Sequence, residues 1–367
     1  MLKYIIAFII LVHGLIHFIG FAKAFAYGNI TTIAKDISKT TGFCWLVAGF
    51  LLIAVAILYL LQTVAWPIIA IAAAVISQVL IITVWKDGRF GTIVNVILLL
   101  VAIPAFAENN FNKLVKKERN ALLSQKVSGN TIITKEMLAN LPEPVQRWLA
   151  SSGVLGKEKI HFVRLQQKGQ MRTKPGGSWL PFTATQYYNV DKASFNWQTT
   201  VQMLPFITLN GRDKLENGKG EMLIKVLSLV NVVNMGDDKK IDEAAMLRYL
   251  AEICWFPSAA LEAYIQWDAV DWLTAKATMH YGGISVSGIF HFDQNGDMIG
   301  FTADRWYANG KQSIPAKWEI KTKKYQSFSG IRIPAGSEVS WELKSGDFTW
   351  LTLEIVALEF NERELYK

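Results

Sequence analysis

The chain has 367 residues and a net charge of +8, but its basic residues are scattered, which argues against a nucleic-acid partner. Hydrophobic residues make up 51% of it and mean hydropathy is +0.23, too apolar for an ordinary soluble protein. Its two cysteines, Cys44 and Cys254, supply no disulfide framework.

The apolar excess is concentrated in residues 1–107, in four runs at 2–26, 43–61, 64–85 and 91–107. The first three reach the ~20 residues that a bilayer span requires, and the fourth is near the lower limit. Trp45, Trp66 and Trp85 fall at run ends, as an interfacial belt would place them, and Pro67 sits in a first helical turn. Lys3 and Ala24-Phe25-Ala26 imitate a signal peptide, but three further runs make the first an uncleaved helix. His13 and His17 are one turn apart and share a face; Gln78 and Asn95 are the other polar residues of the runs. Paired imidazoles are the raw material of a metal or b-type haem site, and these two are the metal candidates. The runs hold no further histidine for a second axial position, so hydrogen bonding to Asn95 or Gln78 is the expectation. No motif implies a cofactor. Loop charges tie: Lys23, Lys35, Lys39, Lys86 and Arg89 face Lys3, Lys113, Lys116, Lys117 and Arg119 across the bilayer. Long domains translocate regardless of charge, which favours both termini outside.

Residues 108–152 read as a helical connector: an amphipathic helix at 109–128, a short helix at 134–141 stopped by Pro142 and Pro144, and another at 145–151 ending at Gly153. Lys113, Lys116, Lys117 and Arg119 suit anionic headgroups, so membrane lipids are the expected partner. From Lys159 the apolar period becomes two. Phe195, Trp197, Val201 and Met203 alternate with polar residues, as do Trp318 and Ile320, then Val339, Trp341 and Leu343. Asn217-Gly218, Gly282-Gly283, Asn295-Gly296, Asn309-Gly310 and Ser345-Gly346 supply turns. Roughly ten strands follow, too many for a flat sheet, so it must curl or be covered. The expected fold class is a four-helix transmembrane bundle (1–107) followed by an α+β domain (153–367). That domain is a large curved antiparallel sheet covered by a helix.

The covering element is 241–262, the one strong helical pattern among the strands. Met246, Tyr249, Leu250, Ile253 and Phe256 form one apolar face; Ala244, Leu247, Ala251, Cys254 and Trp255 form another. Arg248 and Glu252 occupy the wedge between at i,i+4. Asp242 is the expected N-cap or a favourable first-turn charge, and Pro257 the stop. A helix apolar on two sides needs something on both, which makes Met246, Tyr249, Trp255, Phe256, Arg248 and Glu252 the candidate site for an apolar small molecule. His280 and His291 sit on polar strand faces. Asp293, Asn295 and Asp297 imitate a calcium loop but have Met298 where that loop needs glycine. Without G-x-S-x-G, H-E-x-x-H, a Walker loop or C-x-x-C, no residue is assigned a catalytic role.

The stretches LPEPVQRWLASSGV (141–154), KPGGSWLPFTATQYY (174–188), EMLIKVLSLV (221–230) and LRYLAEICWFPSAAL (247–261) resemble an uncharacterised bacterial family of membrane-tethered domains of unknown function. FDQNGDM (292–298), GIRIPAGSEVSW (330–341) and HGLIHFIGFAKAF (13–25) fit the same family. The resemblance implies a membrane-tethered bacterial protein and carries no catalytic residue; the expected location is the bacterial cytoplasmic membrane, with the C-terminal domain outside on the charge argument above. At fold level a half-barrel with a helical lid resembles periplasmic lipoprotein-carrier domains. Three readings follow: an extracytoplasmic binding module for a lipid or other apolar ligand, a redox or haem bundle using His13 and His17, or a structural envelope protein.

Overall fold

The computed structural model describes residues 1–126, 129–309 and 312–366, which divide into two compact units, Met1–Asn112 and Lys113–Lys367.

The first unit is built from α1 (Leu2–Ala24), α2 (Lys39–Leu60), α3 (Trp66–Thr83), the one-turn α4 (Trp85–Gly88) and the start of α5 (Gly91–Ser124). Helices α1, α2, α3 and α5 are long and apolar enough to cross a membrane. Their polarity is inside out. His13, His17, Ser77 and Asn95 are buried, while Phe8, Phe50, Ile68 and Leu100 face outward. Close approach of α1 and α2 depends on glycine: a Cβ on Gly14 would lie 3.0 Å from the Gly49 carbonyl oxygen, and one on Gly20 would lie 2.3 Å from Trp45. The separate connector helix expected at 109–128 is instead the end of α5, 34 residues long with Pro104 inside it. Residue chemistry turns from apolar to charged after Ala107, but no glycine or proline there breaks the helical period.

In the second unit 13 strands form one antiparallel sheet. They are β1 (Phe162–Met171), β2 (Leu180–Asn189), β3 (Ser194–Leu204), β4 (Ile207–Glu216), β5 (Lys219–Val226), β6 (Val230–Met235), β7 (Ile265–Ala269), β8 (Thr274–Tyr281), β9 (Ile284–Phe292), β10 (Met298–Asn309), β11 (Gln312–Phe328), β12 (Ile331–Leu343) and β13 (Gly346–Phe360). The order is β6-β5-β4-β3-β2-β1-β13-β12-β11-β10-β9-β8-β7. Because the first strand pairs with the last, the two strands consecutive at mid-chain, β6 and β7, become opposite edges. The segment joining them must cross the whole sheet. That requirement puts α7 (Lys239–Glu252) over the concave face, against β4, β5, β8, β9 and β10. The curled sheet brings its arms together at Asn217-Gly218 and Gly282, where an added Cβ on either glycine would meet the other arm's backbone within 2.9 Å. Positive φ at both, +77° and +56°, suits glycine there.

Helix α7 starts and stops earlier than the apolar pattern at 241–262 suggests. Asp238, not Asp242, is its N-cap and accepts from the Lys240 amide at 2.8 Å. The Asp242 carboxylate instead accepts from the Gly220 amide and Lys219 Nζ, both at 2.8 Å, and pins the helix to β5. Beyond Glu252 the chain tightens into 3₁₀ turns at Ile253–Trp255 and Pro257–Leu261, because Pro257 excludes the α conformation at Phe256. Residues 134–141 form only the 3₁₀ turn Glu136–Leu138. Helix α6 spans Glu143–Ser151, with Pro144 tolerated in its first turn. On the convex face, residues 113–124 of α5 lie along β2–β4: Arg119 donates to the Thr185 carbonyl and Asn196, and the Leu122 carbonyl accepts from Asn189.

Candidate functional site

The concave face beneath α7 gathers all six residues expected to form the site. Met246, Tyr249 and Phe256 are fully buried, and Trp255 is 4% exposed. Phe256 packs on Tyr188 at 4.6 Å and Tyr249 at 5.7 Å between centroids. The Tyr249 hydroxyl meets that of Tyr264 at 2.8 Å, and Trp255 Nε1 donates to the Pro334 carbonyl at 3.1 Å. These four side chains are packed as core. An open groove of about 470 Å³ lined by Trp272, His291 and Ile299 lies apart from them.

Arg248 and Glu252 behave differently. They form the centre of a polar network at the edge of that core. Arg248 donates from Nε to Glu252 (2.7 Å), from Nη1 to Asp213 (2.9 Å) and from Nη2 to Gln186 (3.4 Å). The other Glu252 oxygen accepts from Gln186 Nε2 (2.9 Å) and the Tyr188 hydroxyl (2.8 Å). The guanidinium lies over Trp197 at 4.7 Å and Phe195 at 5.0 Å. Burial pushes the Tyr188 hydroxyl well above its ordinary value, with the Glu252 charge adding to it, so Tyr188 remains a donor.

Arg305, on β10, is the residue that periodicity did not flag. Its guanidinium lies over Trp318 at 4.7 Å and Trp341 at 5.8 Å, and Nη2 donates to the Ala244 carbonyl at 3.3 Å. Its Nε is buried without a partner. Burial, helped by the nearby Arg248 charge, draws this group down to about 10, which leaves it cationic at neutral pH. A charge inside an alternating strand was the available signal: Phe301, Ala303, Arg305 and Tyr307 share one face.

Next to the two arginines the concave face is apolar but not sealed. Trp197, Leu209, Leu351, Leu353, Met171 and Leu180 are half-buried around a small cluster of Phe182, Ala184 and Val201. Tyr307, Ala316, Leu343 and Trp350 are half-buried too. This half-buried apolar surface, the trough, borders both guanidinium groups: Arg248 lies over Trp197, and Arg305 is the cross-strand neighbour of Ala316.

The histidine pair is enclosed in the first unit. His13 Nε2 lies 3.1 Å from Asn95 Oδ1 and 3.2 Å from Ser77 Oγ, and Asn95 Nδ2 donates to Gln78 at 3.0 Å. His17 Nδ1 donates to the His13 carbonyl at 2.8 Å, and its ring lies 5.0 Å from Trp45. Among the described residues no three His, Cys, Asp or Glu side chains converge as a metal site. Asp293 holds a turn, its Oδ1 accepting from the Asn295 and Asp297 amides at 2.9 Å. His291 Nε2 lies 3.0 Å from Thr302 Oγ1.

The sequence profile of a family of unknown function (DUF6544) matches residues 131–353, more than half of the chain. No curated protein matches. Among solved structures, a DUF1329 family protein from Desulfovibrio piger is similar at 9% identity and TM-score 0.35, over 63% of this chain and 94% of that one. A protein described as an outer membrane lipoprotein-sorting domain from Vibrio parahaemolyticus is similar at 9% identity and TM-score 0.32, over 60% and 91%. A LolA superfamily protein from Nitrosomonas europaea is similar at 7% identity and TM-score 0.31, over 59% and 94%.

Proposed function

The chain belongs to the family of unknown function DUF6544, a name that assigns no activity, so its function has to be read from the site, and we propose that it is a membrane-anchored binding module for an amphiphile. An apolar tail lies along the half-buried trough and an anionic head meets Arg305 and Arg248. The observation that carries this reading is Arg305: a desolvated cation on two tryptophans, with one carbonyl as hydrogen-bond partner, a buried Nε that has none, and the nearby charges of Asp213 and Glu252 already engaged by Arg248. Leaving such a group under-partnered costs about 1–3 kcal/mol, which an anionic ligand would recover. Its neighbours point to an amphiphile, because Trp197, Leu351, Leu353 and Trp350 offer an apolar, half-buried surface beside the charge. Met246, Tyr249, Trp255 and Phe256 support the trough from below rather than touch the ligand. Four membrane-length apolar helices keep the module beside a reservoir of such molecules.

The test is a titration of the full chain in non-ionic detergent with a long-chain carboxylic acid and with the matching alcohol, read by tryptophan fluorescence. Saturable binding of the acid, about tenfold or more weaker in Arg305→Met, supports the reading, since a charge-assisted hydrogen bond is worth ~1.5–3 kcal/mol. Equal binding of acid and alcohol, or no effect of Arg305→Met in a variant that still unfolds at the wild-type temperature, rules it out.

A further inference from the structure

We propose that two adjacent hairpin tips, Leu204-Pro205-Phe206 and Leu227-Ser228-Leu229, form a lipid-contacting surface that rests on a bilayer. The tips lie side by side at one end of the β1–β6 arm, and the Leu227 amide donates to the Thr208 carbonyl at 2.9 Å. Both carry large apolar side chains into the open. Phe206 is 77% exposed, Leu204 58% and Val230 64%, with Leu229, Val232 and Met235 also exposed. Neither 201–211 nor 226–236 contains an ionisable residue. An uncharged, apolar edge strand such as β6 is one that soluble sheets avoid.

The turn chemistry points the same way. Phe206 has φ +67° and Leu227 φ +52°, left-handed positions that glycine or asparagine occupy cheaply and large side chains do not. A loop that needed only to reverse the chain would carry the small residue. Here backbone strain is accepted and an aromatic and an aliphatic side chain are displayed, a pattern that belongs to contact sites. A lipid bilayer is the occupant the chain argues for. Residues 113–124 of α5 run along β2–β4 so that Arg119 meets Thr185 and Leu122 meets Asn189; their N-terminal end is therefore directed to the end of the arm that bears the tips. Lys113, Lys116 and Lys117 are exposed at that end and complement anionic headgroups. The same chain also carries four helices of membrane-spanning character, the last of which continues into this segment. Apolar side chains that enter the acyl boundary, flanked by lysines, are the pattern of an interfacial anchor.

The experiment uses the full chain in nanodiscs of phosphatidylcholine and phosphatidylglycerol containing a phosphatidylcholine with a photoactivatable diazirine in its acyl chain, with labelled residues mapped by mass spectrometry. The expected result is labelling at 203–207 and 229–232, in addition to the apolar helices. Phe206→Asn suits the left-handed backbone and so spares the fold; combined with Leu204→Asn it is expected to bring tip labelling to background while helix labelling persists. Label confined to the helices in the wild-type chain overturns the proposal. So does labelling of the tips that survives the double substitution, or tips covered by a second copy in a concentration-dependent manner.

Discussion

Glu252→Ala tests whether the polar network holds α7 on the sheet. Glu252 is 7% exposed and accepts from Arg248, Gln186 and Tyr188 at 2.7–2.9 Å. Truncation leaves Arg248 with Asp213 as its one remaining carboxylate and strips the acceptor from two buried donors. Losing one partner of a buried, hydrogen-bonded pair costs about 3–5 kcal/mol. In a domain of this size each kcal/mol moves the midpoint by ~2–4 °C, so the thermal transition should fall by roughly 6–20 °C. Glu252→Gln keeps an acceptor and should cost less. The internal control is Lys317→Ala, which breaks an exposed pair with Glu342 at 3.4 Å and is worth under ~1 kcal/mol. Tryptophan-fluorescence melts of the full chain in detergent read all three. A Glu252→Ala shift no larger than that of Lys317→Ala would refute the reasoning, because it would mean that water already satisfies these groups.

Other expectations follow from single contacts. His13→Ala should loosen the membrane bundle, seen as faster proteolysis in detergent, because Asn95 and Ser77 lose a buried partner; metal content and visible absorbance should not change. Gly20→Ala should disrupt α1–α2 packing at least as strongly, since its Cβ would overlap Trp45. Glu262 is pushed up by burial against the pull of Lys159. A carboxyl raised in the folded state contributes stability that is complete below its usual 4.5 and declines as pH rises through the higher folded value. Glu262→Gln should therefore flatten that part of the pH–stability curve, and an unchanged slope would contradict the assignment.

Much of this architecture was legible because it depends on periodicity. Four apolar runs gave four long helices, and the period-two stretches around Phe195, Trp318 and Val339 became β3, β11 and β12 of a curled antiparallel sheet under a helix. Turn dipeptides such as Asn217-Gly218 marked hairpins where glycine chemistry is obligatory. What stayed hidden was set by pairing over distance. Nothing local reveals that β1 pairs with β13, and that one pairing makes β6 and β7 edges and forces α7 across the face. It also explains the two apolar sides of α7: both meet protein, so Met246, Tyr249, Trp255 and Phe256 are core, and Arg248 and Glu252 form a polar network at its edge. Arg305 was missed because one charge within an alternating strand looks like a solvent-facing residue until the sheet curls. The left-handed Phe206 and Leu227 were missed because turn rules anticipate glycine at such positions.

The proposed function requires an amphiphile in the trough. Native mass spectrometry of the full chain, released gently from membranes, measures this directly. The expected result is an adduct in the mass range of an anionic amphiphile on the wild-type protein. It should be lost when Leu209→Trp and Leu353→Trp fill the apolar trough, and reduced in Arg305→Met. A wild-type protein that carries no adduct, or an adduct that survives the filled trough, would contradict the proposed function.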